Sequence, residues 1–332
     1  MKKIIIGALA LAALTLLLSS DHQLRAAEAK KLIKVGYTGS LCEGPLHIAI
    51  EKGFFAEEGL EAEAIRLAPG TNFEAITAGQ IDASFGLLAT LIQPLSNGLP
   101  IKITTGLHTG CDKVLVPAGS SIKTAADFKG KRIGVPSLTS SPIMFAKRVL
   151  AAAGVKVGDK DSEVEFIVFS NAELPLALEK GAVDSISAND PVASLAAHKN
   201  GLTILFDSAK TPPYNNQYCC AAYVSAKLAE ADPDTAARYT RAMQKAAAWI
   251  QKNQDETAKI QVDNHYVAGD PVFNAGVLKT FNYIPSVKGA YEAFGTTAQE
   301  LQKIGVLGEK TNVNDLQKNS FAFLAGVEDS VK

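Results

Sequence analysis

The chain has 332 residues, 47% of them apolar and 20% charged, the profile of a globular protein with ample material for a core. Lys and Arg number 33 against 34 Asp and Glu, a balance that excludes a nucleic-acid binder built on a concentrated basic surface. Fourteen Pro and 26 Gly are ordinary loop usage and predict no long disordered tract, and at this length two domains are expected.

Lys2 and Lys3 precede an apolar run over residues 4–18. A short positive stretch before such a run reads as a secretory leader, and the run is shorter than the roughly 20 residues of a membrane span. Ala27-Glu28-Ala29 fits the small-x-small cleavage pattern, which makes 1–29 the leader and places cleavage after Ala29. No Cys directly follows the run, so a lipoprotein is not expected. The expected location is the periplasm.

Residues 32–37 alternate as a strand, and Gly44-Pro45 opens a helix ending near Gly53. Strands over 61–67 and 82–86 flank a helix over 72–78 that Gly79 closes. Further strands are expected over 101–106 and 113–117. The pattern then restarts, with a short helix capped by Thr124 and a strand over 132–136. Ser141-Pro142 opens a helix through Ala153. A strand over 163–169, a helix over 172–180 and a strand over 183–187 follow. Asp190-Pro191 opens another helix, ended by Asn200-Gly201, before a strand over 202–206. From Pro233 the chain turns mainly helical, with Tyr239, Met243, Ala246 and Ile250 on one face. This alternation predicts an α/β fold of parallel-rich sheets flanked by helices.

A faint internal echo accompanies it. Asn72-x-Glu74 leads to Gly79-x-Ile81-Asp82, and Asn171-x-Glu173 leads to Gly181-x-Val183-Asp184. One such unit in each half suggests two similar lobes. In open sheets ligands bind outside the carboxyl ends of strands, where helix N-termini present free N–H groups. The helix starts after Gly44, Ser141 and Asp190 should lie there, with Thr139, Ser140 and Ser141 adding hydroxyls. Ser141 and Asp190 read equally as simple caps. No G-x-S-x-G, P-loop or H-E-x-x-H motif occurs, so no enzyme is expected.

The run EKGFFAEEGL over 51–60 resembles a segment near the start of the solute-binding proteins of ABC importers, in the sulfonate, taurine and nitrate group that also includes thiamine-precursor binders. AGQIDA over 78–83, IKTAADFKGKRIGV over 122–135 and Asp190-Pro191 match in the same order. The resemblance implies a type II periplasmic binding protein fold: two α/β lobes, a two-segment hinge and a ligand in the cleft. Carried onto this chain, it implies lobe one over 30–121 and 210–332, and lobe two over 122–209. It also implies ligand positions in the loop from Thr38 to Glu43, at Thr71 and Asn72, at Thr139, Ser140 and Ser141, and at Asn189 and Asp190. Residues 214–220, with Tyr218, should line the hinge. A monomer working with an inner-membrane permease and ATPase follows from the same resemblance.

Cys42, Cys111, Cys219 and Cys220 depart from that pattern. Under the alignment all four fall at the cleft or hinge. Structural disulfides, a thiolate site for a soft metal, metalloid or sulfur compound, and inert buried thiols are three open readings. Adjacent strand residues face opposite ways, so only one of Cys219 and Cys220 should face the cleft. With Cys42 and Cys111 it would form a three-thiolate cup. His108 is a candidate beside Cys111, whereas His47 reads as a packing residue. A thiol-based sensor, chaperone or oxidoreductase without an importer is the alternative function.

Overall fold

The structure, a computed structural model, describes residues 30–158 and 161–331. The expected leader over 1–29 lies outside the described residues. Among those described, ten strands form two five-stranded sheets. In chain order they are β1 (Lys31–Tyr37), β2 (Leu60–Arg66), β3 (Ala83–Leu87), β4 (Ile101–Thr109), β5 (Asp112–Val116), β6 (Arg132–Val135), β7 (Glu165–Val168), β8 (Ser185–Asn189), β9 (Thr203–Asp207) and β10 (Tyr218–Ser225). The first sheet runs β2-β1-β3-β10-β4 and the second β7-β6-β8-β5-β9.

Each sheet begins with three parallel strands joined by helical crossovers, as the alternation of strand and helix requires. Both sheets are nonetheless mixed. β10 runs antiparallel to β3 and β4, and β5 runs antiparallel to β8 and β9. These two strands follow the chain's passages between lobes, so each enters its sheet from the hinge end and runs against its neighbours. β5 therefore belongs to the second sheet, and the expected lobe boundary after Ser121 is corrected to a crossing at Gly110 and Cys111. The return passage lies between β9 and β10.

The two passages are pinned together. Gly110 has φ +79°, and a Cβ there would sit 2.6 Å from the Cβ of Ala209, so only glycine allows this approach. The Ser208 hydroxyl accepts from the N–H groups of Cys111 and Asp112, both at 2.9 Å, and Ser208 N–H donates to the Asp112 carbonyl at 2.9 Å.

The internal echo is a shared structural device. In the first lobe Asp82 exchanges two hydrogen bonds with Lys34 of β1. In the second, Asp184 does the same with Arg132. Each aspartate follows a helix and a left-handed glycine, Gly79 or Gly181, and fixes the next strand beside the first. The helix Leu88–Ser96 had no sequence signal, because it follows β3 directly without a turn or capping residue. The long helix Pro233–Ile250 buries Tyr239, Met243, Ala246 and Ile250 completely, on the face that the spacing predicts. Among the described residues no helix is long and apolar enough to cross a membrane.

Beside the return passage an ion pair joins the lobes. Arg148, on the second lobe's helix Ser141–Ala152, donates to Glu300 on the first lobe's helix Val287–Lys303 at 2.6 and 3.1 Å. The same guanidinium bonds Gln217 of the return passage and lies over Tyr214, 4.9 Å from the ring centre. Charge-assisted bonds of this kind contribute about 1.5 kcal/mol. Arg148→Leu should leave both lobes folded but increase the radius of gyration of the ligand-free protein in X-ray scattering. Unchanged scattering would show that this pair does not hold the lobes together.

Candidate functional site

The sheets' carboxyl ends face one another across a cleft of about 1030 Å³ that opens to solvent. From the first lobe it is lined by Thr38, Cys42, Glu43, Asn72 and Cys220, and from the second by Thr139, Ser140, Ser141, Asn189 and Asp190; Cys111 enters from the crossing. Asn171 and Tyr223 also line it. Asn171 is the counterpart of Asn72 in the internal echo, and extending that echo to the site would have found it. Tyr223 had no comparable signal.

Lobe one presents a tight loop. The Glu43 carboxylate accepts from the N–H groups of Thr38, Gly39 and Ser40 and from the Thr38 hydroxyl, at 2.6–2.9 Å. Burial and then the neighbouring Cys42 push its pKa up to about 7 in spite of those donors. Thr38 and Glu43 thus shape the cleft wall while bonding each other. Lobe two presents the N-terminus of the helix Ser141–Ala152, whose first N–H groups have no intrahelical partner. The Ser141 hydroxyl donates to Asp112 at 2.9 Å and the Ser140 hydroxyl to the Ser137 carbonyl at 2.7 Å.

Asp190 ties the lobes across the cleft. Its carbonyl accepts from Leu41 N–H at 3.2 Å and from the Ser40 hydroxyl at 2.8 Å. Its carboxylate accepts from Ser194 N–H and from Lys113, so it is not free to meet a ligand. Burial pulls the Lys113 pKa down, and the carboxylates of Asp190 and Asp207 more than offset it. Among the described residues no Lys, Arg or His lines the cleft, and both acidic side chains that line it, Glu43 and Asp190, are already bonded.

At the cleft floor the Sγ atoms of Cys42, Cys111 and Cys220 all lie within 4.8 Å of one another. All four cysteines are buried free thiols. Cys219 faces away from the cleft, yet its sulfur is 2.6 Å from that of Cys111, longer than a disulfide bond of about 2.05 Å. Strict alternation fails here because β10 shifts register around Cys220 against β4, a bulge that brings both sulfurs toward Cys111. Cys111, Cys219 and Asp112 form a second close group. Hydrogen bonds from Cys111 and Cys220 hold the Cys42 thiol below its ordinary range, while burial and then Cys111 hold Cys219 above it. Burial pushes Asp112 up to about 8.

Three expected positions lie elsewhere. The Thr71 hydroxyl turns back to the Ala68 carbonyl. Tyr218 packs over Gly106 and Gly289 and donates to the Ile284 carbonyl at 2.6 Å, which points its ring away from the cleft. Cys219 joins Tyr218 along a smaller recess of about 280 Å³. His108 is no ligand either, because its ring nitrogens face the carbonyls of Thr109 and Cys42 at 3.2 and 3.1 Å. His47 is packed, stacked on Tyr266 with centroids 4.2 Å apart and bonded to Gln261 at 3.0 Å.

Two α/β lobes, a two-strand hinge and a cleft between sheet ends define the periplasmic binding protein fold, and solved structures share it. The nitrate-binding protein NrtA of Synechocystis superposes with a TM-score of 0.75 at 18% identity, over 89% of this chain and 86% of that one. The alkanesulfonate-binding protein SsuA of Xanthomonas axonopodis gives 0.70 at 18% identity, over 86% and 97%. The chain belongs to the NMT1-like family, whose model matches residues 26–262. It is 28% identical over 312 residues to a putative aliphatic sulfonates-binding protein of Bacillus subtilis, covering 91% of this chain and 89% of that protein.

Burial lowers the His47 pKa from 6.5 to about 3. As pH falls through 6.5 the unfolded chain takes up this proton and the native chain does not, so stability is lost on acidification. Glu43 and Asp112, with raised pKa values, act in the opposite sense because the native chain binds their protons first. His47→Gln isolates the histidine. Between pH 6.5 and 5 the variant should lose about 2 kcal/mol less stability than the parent, read by urea unfolding. Equal losses in the two proteins would show that His47 ionises freely in the fold.

Proposed function

We propose that this chain is an exported solute-binding protein that captures a small ligand between its lobes and delivers it to an inner-membrane ABC permease and ATPase. The cleft carries this reading: both lobes line it, and two short passages at one end are the hinge about which it closes. A ligand touching both walls favours the closed form by its differential affinity, and closure presents a docking face to the permease. No bond in the ligand need break. The relatives, named for sulfonate and nitrate binding, support the transport role, and the proposed location is the periplasm after loss of the leader near Ala29.

The ligand is held through sulfur. Among the described residues no basic side chain lines the cleft to meet an anion's charge, whereas three thiols converge on its floor. Thiols suit a soft metal, a metalloid or a sulfur compound. The contact between Cys111 and Cys219 favours a second reading, a thiol sensor or oxidoreductase. Cys219 opposes it, being 3% exposed and turned from the cleft that Cys111 lines, because exchange needs an accessible sulfur.

Cys42→Ser and Cys220→Ser should each weaken ligand binding by more than about tenfold without lowering the melting temperature appreciably. Calorimetry with alkanesulfonate, nitrate and thiophilic ions, beside scattering for closure, tests this. Closure on a sulfonate or nitrate, unchanged in both variants, would remove the sulfur site and keep the binding protein. Failure of any liganded form to stimulate the reconstituted permease would remove the importer role.

A further inference from the structure

We infer that the cleft floor is a three-thiol site for a trivalent metalloid oxyacid of the arsenite or antimonite type. The inference rests on the sulfur-site reading above and names its ligand class. The three sulfurs come from separate parts of the chain: Cys42 from the turn Leu41–Glu43, Cys111 from the crossing and Cys220 from β10. Sulfurs bound to one centre at about 2.3 Å lie about 3.5 Å apart when the centre carries a lone pair and the set is pyramidal, and about 4 Å apart when it is planar; these three lie within 4.8 Å of one another. The set is three and not four. Cys219 groups with Cys111 and Asp112 but not with Cys42 and Cys220, so the four-sulfur cage of a structural zinc is not formed.

Charge selects among the ions that three thiolates can hold. A buried charge without a partner is costly. Among the described residues no basic side chain lines the cleft, and Glu43 and Asp190 spend their oxygens on other donors. Three thiolates around a monovalent ion would leave two negative charges on this floor, and around a divalent ion one. Around a trivalent centre they leave none. The oxyacid arrives uncharged at neutral pH, which suits walls that offer hydroxyls, amides and free helix N–H groups. The exchange balances without an oxidant. Each metalloid–oxygen bond breaks as a metalloid–sulfur bond forms, each thiol proton leaves with a hydroxide as water, and no electrons are transferred. Three waters are released for one ion bound.

The test uses the leaderless chain, reduced with a phosphine because dithiols compete, and sodium arsenite as the probe. Native mass spectrometry should show one adduct, heavier by one arsenic and lighter by three hydrogens. X-ray absorption should show three sulfur neighbours and no oxygen. Cys219→Ser should bind as the parent does, whereas Cys42→Ser and Cys220→Ser should bind at least about 100-fold more weakly. Two sulfur neighbours, or an adduct that survives in Cys42→Ser, would overturn the inference. Uptake of zinc or cuprous ion in preference to arsenite would overturn it while leaving the sulfur site standing. If none of the three probes binds, and the cleft closes on an alkanesulfonate equally in the parent and in a Cys42→Ser/Cys220→Ser double variant, the sulfur site itself falls and the binding protein remains.

Discussion

The contact between the two passages at Gly110 and Ala209 is the constraint on which the rest depends. Two sheets of similar build could sit at any angle if their connections were loose. Here a glycine without room for a Cβ and a serine hydroxyl shared by two amides bring the passages to contact distance. The carboxyl ends of both sheets consequently face one another, and helix starts from both lobes line the gap. Cys111 belongs to one passage and the cysteines of β10 follow the other. The same contact that builds the hinge therefore gathers the thiols.

Charge management is the second theme. The cleft region holds Glu43, Asp112, Asp190 and Lys113, all buried. Each is engaged inside its own wall: Glu43 by the loop it closes, Asp112 by Ser141, and Asp190 by Lys113 and a helix N–H. Buried charges with satisfied partners order a structure at little net cost, whereas unpaired ones are expensive, and Asp112, whose second oxygen has no partner, is pushed toward its neutral form instead. The walls that remain for a ligand are accordingly neutral, and the soft donor atoms among them are the sulfurs. A cleft that met a simple anion through cationic side chains would place a Lys or Arg on its walls, and among the described residues these walls have none.

Much of this was legible in the residues. Glycine stops, prolines at helix starts and alternating apolar runs set the order of strands and helices, and the echo around Asp82 and Asp184 reported two lobes built alike. What escaped depended on long-range pairing. β5 reads as one more apolar strand, and nothing local says which sheet it joins; its partners lie some seventy to ninety residues away in β8 and β9. Local alternation sets Cys219 and Cys220 on opposite faces, but a bulge has no signature in two adjacent cysteines, and here it brings Cys219 back to Cys111. Tyr218 looked like an aromatic wall, yet the absent side chains of Gly106 and Gly289 leave a slot that takes its ring. Helix Leu88–Ser96 lacked a cap because its strand runs straight into it.

Cys111 is where hinge and floor meet. Its N–H is tied to Ser208 of the return passage, its carbonyl accepts from Asp190 N–H of the second lobe, and its sulfur stands among those of the first. A residue on the crossing moves when the lobes move, while Cys42 and Cys220 are fixed to the first sheet and its loop. The distance from the Cys111 sulfur to the other two is therefore a function of the angle between lobes. An ion that needs all three sulfurs at bonding distance would be held only over the range of angles that supplies them, and opening would withdraw one sulfur from the set. Capture and release would then follow from the geometry of a single residue, with the hinge acting directly on the bond it must make and break.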